Sequence, residues 1–320
     1  MFYIVLTALE LGFLYAPVAL ALFLSYRILD IADLTTDGAF TLGAAVSVVV
    51  CGAGHPVLAI PAAMIAGMCS GFVTALLQTK LGIDSLLAGF VPAFLQPRLG
   101  VPAILAGIVT NTGLYTVNLM VMGWKSNASL LRQATIFQFF RDYILGGGWG
   151  EVFLAAVLTV GAALLLVAFL GTRLGLSIRA TGDNRDMVRA SSINPTFTIT
   201  VGLCVANALT GLSGALVGQS QRSANVNIGT GMVVIGLACL IIGETVLGKG
   251  SVLRGALSVF AGSVIYRLIY ALALSSKVFP MEAMKLVTAV VVGLAIAAPS
   301  IKDWLAFQRR KSSARAGKGA

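Results

Sequence analysis

Eight stretches of this chain are almost free of charge: residues 2–26, 57–79, 102–123, 152–170, 196–217, 232–247, 255–274 and 283–298. Most approach the length of about 20 apolar residues that a helix needs to cross the hydrocarbon core of a bilayer. A shorter apolar run, 39–51, follows the polar stretch 31–38. The expected fold class is all-α: a polytopic transmembrane helical bundle of eight or nine spans, some of them broken. Only 11% of the residues are charged, against roughly a quarter in soluble domains. The short loops leave no room for a separate soluble domain. One transmembrane domain over 1–301 and a basic, disordered cytoplasmic tail over 302–320 are expected. The first run has neither a basic leader nor a small-residue cleavage pattern, so it reads as a retained span.

The net charge of +10 raises the question of a nucleic-acid ligand, and its placement answers it. Six of the 22 Lys and Arg follow Ile301, and most of the others sit in loops between apolar runs. That distribution is the enrichment of Lys and Arg in cytoplasmic loops, not a nucleic-acid footprint. With 171–195 inside, loop 219–231 is outside, 248–254 inside, 275–282 outside and the C-terminus cytoplasmic. Reading backwards, 124–150 is outside, with a short surface helix within 129–145, and the connection 80–98 is inside. The first span then starts outside, unless 30–38 re-enters the membrane and changes the parity.

No catalytic group, cofactor or metal site is expected. The four cysteines lie in or at the end of apolar runs without CxxC spacing, and His55 stands alone in Gly54-His55-Pro56. Gly243 to Gly250 imitates a phosphate-binding loop, but the final hydroxyl that would hold magnesium is replaced by Gly250 and no soluble strand precedes it. Any ATP chemistry therefore belongs to another chain. Two GxxxG pairs, Gly67/Gly71 and Gly214/Gly218, are expected to let helices approach closely within the bundle.

Polar groups inside the apolar runs are costly and so are candidates for function. Asp33, Thr35, Thr36 and Asp37 precede Gly38, Thr110 and Asn111 interrupt the 102–123 run, and Asn207 interrupts 196–217. Broken polar segments are tolerated in a membrane where they line a cavity. These seven residues are the expected lining of a translocation path, with hydrogen bonding between neighbouring helices as the equal alternative for each. Glu10 is open between a helix-to-helix hydrogen bond and a pathway role. Arg267 is expected to snorkel to the outer interface, and Glu244 to anchor the 248–254 loop.

Between two long apolar runs lies a charged island, 172–195. Asp183 or Asn184 is a plausible N-cap for two helical turns over 184–192, stopped by Asn194-Pro195. Two turns are not stable alone in water, so this helix needs a partner surface. Its mixture of apolar and charged residues suits docking into a groove on another protein.

The segment from Arg179 to Asn194, RATGDNRDMVRASSIN, resembles the coupling-loop signature of permease subunits of ABC importers of the branched-chain amino acid and ribose type. IADLTTDGAFTLG from Ile31, TGLYTVN from Thr112, GLACLIIGE from Gly236 and the pair Tyr266-Arg267 further resemble the subgroup associated with tryptophan and related uptake. The likeness runs from about residue 2 to 298. It departs at 81–98, where 81–91 is echoed by 99–109 at six of eleven positions, and at Ser192, where the family more often has Gly.

The resemblance implies the membrane-spanning permease of a bacterial ABC importer, in the inner membrane, that hydrolyses nothing itself. Its implied partners are an ABC ATPase subunit, a second permease copy in a homodimer, an extracytoplasmic substrate-binding protein and the lipid bilayer. The ATPase-coupling residues would be Gly182, Asp183, Asn184, Arg185, Met187, Arg189, Ala190 and Asn194. An aromatic or branched-chain amino acid is the first expectation for cargo, a sugar or nucleoside the second. An ion-coupled secondary transporter is the rival, and it would need a coupling-ion site and often two related halves; neither is evident beyond the short local echo. A channel is a weaker option, since no filter-like or charged ring is evident.

Overall fold

The structure is a computed structural model that describes residues 2–79, 103–130, 134–143, 149–248 and 250–275, with isolated residues between 286 and 297. The 80–98 connection, the first copy of the echo, most of the 283–298 run and the 302–320 tail lie outside the described residues.

Helix α1 (Phe2–Leu22) continues into a π-helical turn, Phe23–Ile28. There follow α2 (Thr36–Gly52), α3 (Pro56–Thr79), α4 (Ala103–Val121), strand β1 (Asn127–Ser129), α5 (Ile136–Tyr143) and α6 (Trp149–Leu170). The second half comprises α7 (Arg173–Asp183), α8 (Arg185–Ala190), α9 (Pro195–Ser220), β2 (Ser223–Asn225), α10 (Met232–Leu247) and α11 (Val252–Ser275). Among the described residues, five helices are long and apolar enough to cross a bilayer: Ile4–Ile28, Pro56–Thr79, Trp149–Leu170, Pro195–Ser220 and Val252–Ser275. Thr36–Gly52, Leu105–Val121 and Met232–Leu247 are apolar but shorter.

Helix α9 is the axis of the bundle. Its most apolar window is 78% buried, against 33% for α3 and α11, so α9 is enclosed while the others turn one face outward. It packs on α3, α2 and α1 at a distance only glycine permits. A Cβ on Gly67 would collide with the Asn207 carbonyl, one on Gly71 would lie 2.5 Å from the Leu203 carbonyl, and one on Gly211 would collide with the Ala63 carbonyl. In lipid no hydrophobic force drives helices together, and such backbone contact supplies the dispersion energy instead. Both GxxxG pairs are thus spent within the chain: a Cβ on Gly214 would strike the Phe40 carbonyl, and one on Gly218 would come 3.2 Å from that of Ala44.

The helices define two ends. At one end β1 pairs antiparallel with β2, Asn127 opposite Asn225, and the last turn of α2 lies beside Leu130. There Glu10 accepts a hydrogen bond from Ser220 Oγ at 2.8 Å, which decides Glu10 for the helix-to-helix bond. At the other end Arg27 pairs with Glu244 at 3.1 Å, and Gly182 packs against the Ile28 carbonyl. Helix α1 therefore starts at the ribbon end and finishes at the α7–α8 end.

Several expectations change. Arg267 does not reach an interface: it is 8% exposed, and its guanidinium carbon sits 3.5 Å from the centre of the Tyr15 ring. Stacking on an aromatic face offsets part of the cost of burying the charge. The Glu244 carboxylate reaches Arg27 in the π turn rather than only the loop that follows it. Of the surface helix expected within 129–145, the described residues show Ile136–Tyr143, and α7, not anticipated from the charged island, occupies the first half of that island.

Candidate functional site

After the π turn the chain leaves helical geometry for 29–35, with Asp30 in the left-handed region at φ 54. Asp33 closes this break. Its Oδ1 accepts from the Thr35 backbone N–H at 2.9 Å, and its Oδ2 from Asn207 Nδ2 at 2.7 Å. Thr36 Oγ1 donates to the Asp33 carbonyl at 3.1 Å, and the Thr35 and Thr74 hydroxyls share a hydrogen bond of 2.7 Å. All five residues are buried. Leaving one such group unpaired in an apolar interior would cost roughly 1–3 kcal/mol, so the break is held as a bonded knot between α3 and α9.

The knot lies halfway along its neighbours. Asn207 is at the middle of α9, and Phe40, in the first turns of α2, stacks on Tyr15 near the middle of α1 at 5.8 Å. Here α10 also begins, because the Asp37 carboxylate accepts from the backbone N–H groups of Gly231 and Val233, each at 2.9 Å. Asp37 thus satisfies the open N–H groups of another helix and meets the positive end of its dipole. Gly231 lets the chain turn into α10 with φ 84. Helices α2 and α10 therefore start at one level and leave for opposite ends, α2 to the ribbon and α10 to Arg27. The stretch 30–38, for which re-entry was considered, is the non-helical break and the first turn of α2.

Beside that junction is a cavity of about 310 Å³. Asp37, Thr41, Asn111, Tyr115, Asn118 and Asn227 supply much of its lining. Asn118 Nδ2 donates to the Gly38 carbonyl at 3.3 Å, and Thr41 Oγ1 accepts from Gly229 N–H at 3.1 Å. Asp37 is the charged group in the lining, and no Lys, Arg or His contributes among the described residues.

The seven path candidates thus divide. Asp37 and Asn111 line the cavity. Asp33, Thr35, Thr36 and Asn207 are brought together in the buried knot, where Asn207 Oδ1 has no hydrogen-bond partner among the described residues, while Thr110 bonds back to the Ala106 carbonyl at 2.9 Å within α4. Tyr115 and Asn118 lie in the TGLYTVN stretch that carries the family resemblance but are not among the expected path residues. Their spacing carried the signal, since Asn111, Tyr115 and Asn118 stand at i, i+4 and i+7 on one face of a helix.

At the opposite end, the charged island forms α7 and α8. Asn184, rather than Asp183, is the N-cap of α8, and its Oδ1 accepts from Asp186 and Met187 N–H at 3.0 Å each. Asn194 caps α9 through Thr196 N–H at 3.0 Å and so lies beyond the short helix. Gly182 is needed where α7 crosses the π turn. Asp183 lines a polar cavity of about 460 Å³ with Arg27, Arg179 and Glu244. Val188 is 1% exposed and Met187 55%, so one side chain fastens α8 to the bundle while the other points away. Arg185, Arg189 and Ala190 are also exposed. Ser192 sits at φ 60, the backbone region in which glycine is least strained.

A family profile described as the permease component of branched-chain amino acid transport systems matches residues 4–297. The chain is 30% identical over 289 residues to a tyrosine transport system permease protein of Clostridioides difficile, covering 90% of this chain and 88% of that one. It is 29% identical over 235 residues to an uncharacterized protein of Rickettsia prowazekii, with 72% and 73% of the two chains covered. No solved structure matches it significantly. A bundle of apolar helices broken halfway around a polar cavity is what a membrane transport subunit requires, and the chain belongs to the family of permease components of branched-chain amino acid transport systems.

Proposed function

We propose that this protein is the permease of a bacterial ABC importer for an aromatic or branched-chain amino acid, driven by an ATPase on a separate chain. The match of a permease-component profile over 4–297 carries the reading, and the name of the tyrosine-system relative supports the cargo class. Two copies enclose the path as a homodimer, and an extracytoplasmic binding protein delivers cargo at the ribbon end.

In this reading the α7–α8 end is cytoplasmic, as is the C-terminus, in the inner membrane. The five long helices, the three shorter apolar ones and the 283–298 run together make the eight or nine spans. Asp37 and Asn111 line the path, Thr110 stands beside it on α4, and Asp33, Thr35, Thr36 and Asn207 hold the break that keeps it open. The ATPase grips α8 through Arg185, Met187, Arg189 and Ala190. Gly182, Asp183 and Asn184 set the stiffness of the loop, Asn194 ties it to α9, and the contact of Gly182 with the π turn carries the push into α1.

Affinity purification from gently solubilised membranes tests the assembly. An ABC ATPase should accompany the chain; a chain that purifies alone from membranes containing that ATPase contradicts the reading.

A further inference from the structure

The cavity beside Asp37 is lined by a residue whose buried acceptor has no partner among the described residues. Asn118 is 1% exposed, its Nδ2 bonds the Gly38 carbonyl, and its Oδ1 has no hydrogen-bond partner among the described residues. An amide oxygen left open at this depth is costly. It is open to a donor from a ligand in the cavity that Asn118 lines.

We infer that this cavity recognises the ammonium group of an amino-acid or amine cargo, with Asn118 Oδ1 and the Asp37 carboxylate as acceptors and Tyr115 as the aromatic wall. The inference rests on the importer reading and names the end of the cargo that this chain reads. An ammonium carries three donors and no acceptor, which matches an open amide oxygen beside a carboxylate. A paired start of two half-helices would ordinarily attract the carboxylate of a substrate. In this protein Asp37 already occupies the Gly231 and Val233 N–H groups of α10, so the position is filled with negative charge. No described cation lines the cavity to hold an organic anion. A volume of about 310 Å³ lies at the small end of ligand pockets. Tyr115, half exposed on the same face of α4 as Asn118, can receive the cation or an aromatic ring.

The test uses the permease–ATPase complex in nanodiscs without the binding protein, so that only this cavity discriminates. The probes are L-tyrosine, tyramine and the deaminated acid with the same ring, each measured by equilibrium binding. L-tyrosine and tyramine should bind about tenfold or more tightly than the deaminated acid, the scale of a hydrogen bond to a charged group. Asn118→Leu should weaken both amines about tenfold, while Asn118→Asp, which keeps an acceptor, should retain them; both variants must remain assembled with the ATPase. Equal binding of the acid and tyramine, no binding of either amine, or amine binding unchanged by Asn118→Leu overturns the inference. ATP-driven uptake with the binding protein is scored separately. If uptake occurs without amine discrimination, the cavity assignment alone falls, whereas absent uptake tells against the importer reading.

Discussion

Asn207 and Asp33, 174 residues apart in the chain, meet at 2.7 Å between Nδ2 and Oδ2, and this contact fixes where α1 gives way to α2. Around it a carboxylate, an amide and three threonine hydroxyls bond to one another and to the Thr35 N–H and the Asp33 carbonyl, while the Leu29 and Ile31 N–H groups bond back to the Leu24 and Ser25 carbonyls. The bundle can therefore carry a break halfway through without leaving its polar backbone exposed to lipid.

Asn207→Leu should destabilise the protein by about 1–3 kcal/mol, because the buried Asp33 carboxyl group loses a hydrogen-bond partner in the interior. Asp33→Asn should cost less than Asn207→Leu. The double variant should depart from additivity by about 0.5–3 kcal/mol, as for other directly contacting pairs. Reversible denaturation in detergent measures all three; additive losses would show that the two side chains do not act together.

Gly211→Ala should cost about 1–3 kcal/mol by overpacking the α3–α9 contact, since the new Cβ would strike the Ala63 carbonyl. Gly161→Ala in α6 is the control. A Cβ there meets nothing within 4 Å, and helix propensity favours alanine by roughly 0.8–1 kcal/mol. Melting temperatures of the two variants should move in opposite directions.

Ser192→Gly should stabilise the α8 loop by about 0.5–1 kcal/mol, because Ser192 stands at φ 60 and glycine adopts that conformation without steric cost. Slower hydrogen exchange of the α8 amides is the readout. Faster exchange would mean that the flexibility of glycine outweighs the relieved strain.

How far the sequence foretold this structure varies from element to element. Long apolar runs specify helices because length and hydropathy are local properties, and the 56–79 and 195–220 helices fall almost where their runs predict. Asn184 announces a helix start through its own side chain and was legible, with Asp183, for that reason, whereas Asn194, expected as the stop of the short helix, also caps the start of α9. Arg267 was misjudged because nothing beside it in the chain reveals Tyr15, which covers it from a helix 252 positions earlier. The same holds for the cavity. Asp37 was found as a polar group in an apolar setting, but its partners Gly231 and Val233 come from the far half of the chain. The π turn and the small ribbon are not legible because their partners are distant in sequence, whereas α7 has a local signal in its Thr172 N-cap, which accepts from Gly175 N–H.

Met187→Glu should weaken recovery of the ATPase with the permease by at least about tenfold while leaving the permease folded, because in the proposed interface Met187 is the exposed apolar anchor of α8 and loss of such a hot spot costs about 2 kcal/mol or more. Val188→Asp should instead loosen α8 itself, as the side chain is buried. Equal ATPase recovery by Met187→Glu and the parent chain would remove α8 from the coupling surface.

Uptake into proteoliposomes bears most directly on the central claim. The chain is reconstituted with its ATPase, the binding protein is added outside, and accumulation of labelled L-tyrosine and L-leucine is followed with and without ATP inside. The predicted result is accumulation of at least one of them that requires ATP and persists when proton and sodium ionophores are present. Accumulation that continues without ATP and collapses with an ionophore would contradict the account and identify an ion-coupled transporter.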